Sequence, residues 1–102
     1  VKPPIQPGHV VFSKKGRDKG RYFVVLYTVG AEFVMMADGD TRKIDHLKKK
    51  RRKHLDGCPY EAPHLLQMAE KGTLKDSDIR SFLWPIVNKS NGENSPLNKR
   101  EE

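Results

Sequence analysis

Apolar and polar positions along the first half of the chain alternate in short runs separated by turn residues. His9–Ser13 reads as a short strand after Gly8, and Arg21–Thr28, rich in β-branched and aromatic residues, as a central strand. Between them Lys14–Gly20 is polar, with Gly16 and Gly20 free to take positive φ. Val29-Gly30-Ala31 is a tight connection to a third strand, Glu32–Ala37, closed by the turn pair Asp38-Gly39. Thr41–Leu47 reads as a fourth strand with Ile44 facing inward, and Leu55 as part of a last short strand. Short strands at roughly ten-residue spacing with turn signals between them predict a small antiparallel barrel. Closure would hide the edges that such strands otherwise expose.

The pattern then changes period. In Pro63–Lys71, Leu65, Met68 and Ala69 fall at helical spacing, with Pro in the first turn and Gly72 just past the end. A second helix, capped by Asp76 or Ser77, is expected through Asn88, with Ile79, Phe82, Leu83, Ile86 and Val87 as one stripe. Pro85 either ends this helix near Leu83 or kinks it. Trp84, at the edge of the stripe, is expected to dock against the strands rather than to stack on a ligand. The organisation is therefore mostly β. An extended lead-in over 1–7 precedes a barrel over 8–60, a helical appendix over 61–88 packs on it, and a polar tail over 89–102 is read as disordered.

A length of 102 residues suits one domain with a tail, and the 35% apolar content implies a small core. Charge alters the picture more. The net charge is +7, but residues 1–60 carry 14 Lys and Arg against 6 Asp and Glu, and residues 61–102 carry 6 against 7. The whole excess belongs to the presumptive barrel. It lies in three clusters: Lys14, Lys15, Arg17, Lys19 and Arg21; Arg42 and Lys43; and the run Lys48, Lys49, Lys50, Arg51, Arg52, Lys53. Adjacent like charges gain nothing within the chain, so such a run is expected to stay extended for a polyanion.

Other chemistry finds little footing. Apolar runs such as Val24-Val25-Leu26-Tyr27 fall far short of the ~20 residues that span a bilayer. Cys58 is the only cysteine, which suits a reducing, cytoplasmic setting. Its neighbours Asp56 and Glu61 raise a thiol pKa and argue against a nucleophile. His9, His46, His54 and His64 with Cys58 match no paired metal-ligand spacing. There is no phosphate-cradling P-loop and no Gly-x-Ser-x-Gly elbow. An enzyme, a cofactor and a small-molecule substrate are not expected.

The most informative stretch is Gly8–Gly39. A strand enters the basic turn Gly16-Arg17-Asp18-Lys19-Gly20-Arg21 and returns as a second strand. Its glycines let backbone approach a phosphate, among cations that form an anion-binding surface. This resembles the KOW motif of ribosomal proteins and transcription–translation factors, carried by Gly16, Asp18, Gly20 and Arg21 with the apolar alternation on either side. Asp38-Gly39, Arg42, the basic run and Lys53-His54-Leu55 are similar to one KOW branch. That branch holds a large-subunit ribosomal protein of archaea and eukaryotes and small bacterial RNA-binding relatives. Asp78-Ile79-Arg80 looks like the C-terminal part of the bacterial form.

The resemblance implies an SH3-like barrel that binds structured RNA, usually ribosomal, through Lys14–Arg21, Arg42, Lys43 and Lys48–Lys53. Two other classes stay open: a protein-interaction adaptor that uses the barrel and the apolar helical stripe, and a nuclear-import signal in Lys48–Lys53. Tyr22 and Tyr27 are open between core packing and base stacking, whereas Phe23 is assigned to the core.

Overall fold

The computed structural model describes residues 3–92, with side chains described as far as Lys89. At the middle of the sheet lies β2 (Tyr22–Val29), whose Phe23-Val24-Val25 run is fully buried because both faces of the strand are covered. β1 (His9–Ser13) pairs with it antiparallel, Val10 opposite Val24 and Phe12 opposite Tyr22. β3 (Phe33–Ala37) lies on its other side, with Val24 opposite Ala37 and a bulge between Val25 and Tyr27. β4 (Lys48–Arg51) pairs with β3, and β5 (Leu55–Glu61) pairs with β1. The five strands form one antiparallel sheet in the order β4-β3-β2-β1-β5.

The period-2 alternation of the strands builds two cores. Val11, Phe23, Val25, Val34, Met36 and Leu55 cluster on one face. Val10, Val24 and Ala37 face the other way and meet the helices. The edges β4 and β5 are joined only by a 3-10 turn, Arg52–His54. Four chain steps from Arg51 to Leu55 span at most ~14 Å. The edges of a flat five-stranded sheet lie ~19 Å apart. The sheet must therefore curl around the first cluster. Among the described residues no ladder joins β4 to β5, so it curls without closing. The lead-in lies across this structure: Ile5 packs on the first cluster, and Arg52 donates to the Ile5 carbonyl at 2.6 Å. Gly57 runs so close under the Pro3 carbonyl that a Cβ has no room.

The helices cover the outer face. α1 (Pro63–Lys71) begins on Pro63 and ends at Gly72, whose φ of +73° is the left-handed C-terminal turn expected there. α2 (Asp76–Gly92) buries Ile79, Leu83 and Ile86 against Val10, Val24 and Ala37, together with Leu65 of α1.

Several expectations are corrected. Residues 41–47 form turns and bends, not a strand. The Asp38 carboxylate accepts from the backbone N–H groups of Asp40 (2.9 Å) and Arg42 (2.8 Å), giving this segment's amides a partner other than a ladder. Ile44 is half-buried and packs against the outer core from that loop. Asp76 does not serve its own helix terminus: its carboxylate accepts from the Ile44 N–H at 2.8 Å, pinning the loop to α2. Asp78 instead accepts from the Lys75 N–H at 2.9 Å. Pro85 does not end the helix, which continues to Gly92 and so takes in the first residues assigned to the tail. An interior proline costs ~3 kcal/mol. Burial of Leu83 and Ile86 on either side of it contributes ~1.5–3 kcal/mol each, enough to hold the helix together. Residues 93–102 lie outside the described part of the chain.

Candidate nucleic-acid interface

The basic turn is held by its own backbone. The Gly20 N–H donates to the Ser13 carbonyl at 2.9 Å, Lys19 to Gly16 at 3.2 Å, and Arg21 to Asp18 at 3.1 Å. Gly16 and Gly20 take φ of +83° and +87°, conformations open to glycine and strained for other residues. Asp18 lies at the tip, yet its side chain is buried between Arg42 (3.8 Å) and Lys48 (3.9 Å). Those distances neutralise its charge but leave Oδ2 without a hydrogen bond. Asp38 is the second buried carboxylate. It accepts from two backbone amides, from the Thr41 hydroxyl at 2.7 Å and from Arg21 at 3.3 Å. Burial alone would raise its pKa, but these hydrogen bonds and the Arg21 charge outweigh it and hold the carboxyl below its usual range.

The run 48–53 is not a free row of cations. Lys48–Arg51 is edge strand β4, and strand alternation splits it. Lys48 and Lys50 face the basic turn. Lys50 is buried, and its ammonium donates to the Lys15 carbonyl at 2.6 Å. Lys49 and Arg51 face the other side, over the Phe33 ring at 4.6 Å and 5.0 Å. Arg51 also pairs with Glu32 at 3.1 Å, and Arg52 is committed to the lead-in.

Thus the structure sorts the candidate residues. Lys14 pairs with Asp56 at 3.3 Å. Arg21, Arg42, Lys48, Lys50, Arg51 and Arg52 have internal partners. Lys15, Arg17, Lys19, Lys43 and Lys53 are exposed and make no ion pair among the described residues, and Lys49 is exposed as well, over the Phe33 ring on the other side of β4. The turn and the end of the basic run meet at His54, whose carbonyl accepts from the Lys14 N–H at 2.9 Å. Partial desolvation, then the charges of Lys15, Lys53, Lys50 and Arg51, hold the His54 imidazole below its usual pKa. The four cations thus add to a shift that desolvation begins. Cys58 is buried, and burial followed by the Asp56 charge raises its thiol pKa, as expected of an inert cysteine.

Beside the turn, between Gly20–Tyr22 and α2, opens a cleft of about 660 Å³. Arg21, Asp38, Asp40 and Arg80 line it with Phe12, Tyr22 and Trp84. Trp84 is 69% exposed, so it does not dock against the strands: the buried stripe runs through Leu83 and Ile86 and turns the indole outward. Phe23 is in the core as expected, Tyr27 is exposed, and Tyr22 is half-buried with its ring edge-on to Phe12 at 5.0 Å. Arg80, which charge clustering passes over, donates to the Gly39 carbonyl at 2.6 Å and brings a cation from α2 to the turn. Its signal in the sequence is its place one residue after core Ile79, on the neighbouring face of the helix.

Comparison with family models and with curated proteins finds no match to this chain. Among the described residues, no helix is long and apolar enough to cross a membrane, and no His, Cys, Asp and Glu cluster is suited to a metal ion.

Proposed function

We propose that this chain is a KOW-type RNA-binding module that contacts structured RNA through phosphates and serves the ribosome or translation in the cytoplasm. The observation that carries the reading is the separation of charge around the turn. Asp18 and Asp38 are buried and neutralised by Arg21, Arg42 and Lys48. Lys15, Arg17, Lys19, Lys43 and Lys53 are left exposed without a carboxylate. Uncompensated like charges repel, and an external polyanion relieves them.

The buried pairs do the positioning. Asp18 ties the turn to Arg42 and Lys48, and Lys50 ties it to β4, so the free cations project from a fixed frame. Their long side chains reach backbone oxygens, and Gly20, with open space where a Cβ would stand, allows close approach. Such contacts set register without reading bases, so a folded RNA shape is favoured over a linear sequence. The strand order and the 3-10 turn between β4 and β5 support the SH3-like form of the curled sheet. The adaptor alternative loses its main support, because Ile79, Leu83 and Ile86 are buried on the sheet.

The test is binding of a structured ribosomal RNA fragment across a salt series. Five phosphate contacts give a log–log slope of about −3.5 to −4.5. Arg17→Ala with Lys19→Ala flattens it by about 1.4–1.8, and Arg17→Glu with Lys19→Glu abolishes binding in a folded protein. A near-flat salt dependence, or unchanged affinity in the folded Glu variant, overturns the proposal.

A further inference from the structure

Trp84 is the chain's only tryptophan, and it stands exposed on the wall of the cleft next to the basic turn. An exposed indole on a helix otherwise well packed gains nothing for the fold. The surroundings are chemically mixed. The guanidiniums of Arg21 and Arg80 are fixed, one by Asp38 and Asp40 at 3.3 and 3.6 Å, the other by the Gly39 carbonyl. Fixed guanidinium planes and an indole are the surfaces on which unstacked bases are held. Asp38 and Asp40 line the same wall. Two carboxylates thus face two guanidiniums, which leaves no surplus positive charge in the cleft for a phosphate or an acidic peptide, while an uncharged ring is accepted. Gly20 belongs both to the turn and to the cleft, so a ligand with an anionic backbone and neutral aromatic branches fits the two surfaces together.

We propose that this cleft is a stacking site for one unpaired nucleobase of the bound RNA, with Trp84 as the platform. The proposal rests on the RNA-binding reading and deepens it. Phosphates lie along Lys15, Arg17 and Lys19, and a base flipped from a loop or bulge enters beside Gly20 and stacks on the indole. The module then prefers RNA with an unpaired nucleotide over a continuous duplex, a discrimination that phosphate contacts alone do not give.

The sole indole makes the test direct. The full chain is titrated with an RNA hairpin carrying an unpaired loop and with a blunt duplex of equal length, while tryptophan emission is followed. Stacking quenches the emission with the hairpin only. Trp84→Ala weakens hairpin binding by about 5- to 160-fold, the range of base–aromatic stacking, and leaves duplex binding unchanged. Trp84→Phe, which keeps a ring, restores most of the loss. Hairpin binding with unaltered emission and no effect of Trp84→Ala overturns the stacking site and leaves the RNA reading standing. Equal quenching by the duplex also overturns it, since no base is free there. Absence of binding to either RNA overturns both.

Discussion

Gly39 offers a quantitative test of how α2 is fixed. Its φ is +76°, and a Cβ built there runs into the Asp76 carbonyl oxygen, with Arg80 Cγ at 3.1 Å and Arg80 N at 3.2 Å. Those are backbone and near-backbone atoms of the first five residues of α2, which cannot swing aside like a side-chain end. Gly39→Ala therefore carries two costs. The left-handed conformation costs ~1–2 kcal/mol for a residue with a Cβ. Displacement of the helix start then weakens the Arg80-to-Gly39 bond (2.6 Å) and the Ile44-to-Asp76 bond (2.8 Å), each worth ~1 kcal/mol. The sum is ~3–4 kcal/mol, a large share of the ~5–15 kcal/mol that holds a typical domain together. Gly30 supplies the control. Its φ is +65°, and a Cβ there meets nothing within 4 Å, so Gly30→Ala carries only the conformational cost. Urea denaturation of the two variants measures both, and their difference of ~2 kcal/mol isolates the docking of α2. Equal destabilisation by the two substitutions would refute the argument, because the helix would then not bear on Gly39.

Two further predictions concern pH. The His54 imidazole titrates below 6.5 by NMR, and Lys15→Ala with Lys53→Ala raises its midpoint. Because the folded value lies below the unfolded one, the unfolded chain takes up the proton first. The stability linked to His54 is therefore complete above pH 6.5 and declines as pH falls through that value toward the folded pKa; a midpoint at or above 6.5 contradicts the field described at this residue. Asp38→Asn destabilises the neutral-pH protein by ~2 kcal/mol through loss of charge-assisted hydrogen bonds. The folded Asp38 value is likewise below the unfolded one, so its contribution is complete above 3.8 and is lost as pH drops through the folded pKa. The gap between wild type and variant should shrink on acidification, and a gap independent of pH down to the acid transition contradicts the assigned network.

Local pattern carried much of this protein. The strands at His9–Ser13 and at the apolar centre of Arg21–Thr28, the turn glycines 16 and 20, and a helix opened by Pro63 and closed by Gly72 all follow from residues close in the chain. Period-2 alternation, positive φ and proline geometry are properties of a few neighbouring residues, so one sequence displays them. The excess of charge on residues 1–60 is equally a matter of counting.

What the sequence did not contain was the sorting of that charge. Lys48–Lys53 looks uniform as a string, but pairing with β3 gives alternate residues opposite faces. A partner 35 residues away turns Lys50 into an internal strut, while Lys53 stays free. Thr41–Leu47 has the composition of a strand but yields to the Asp38 carboxylate on one side and to Asp76, 32 residues from Ile44, on the other. Trp84 sits on the edge of an apolar stripe, and only the angle at which α2 meets the sheet decides that Leu83 and Ile86 go in and the indole stays out. The sequence by itself thus determined the first three strands, the two helical segments and the sign of the surface. The tertiary structure decided which cations bind the protein to itself and which face outward, because that choice depends on long-range partners that no local window contains.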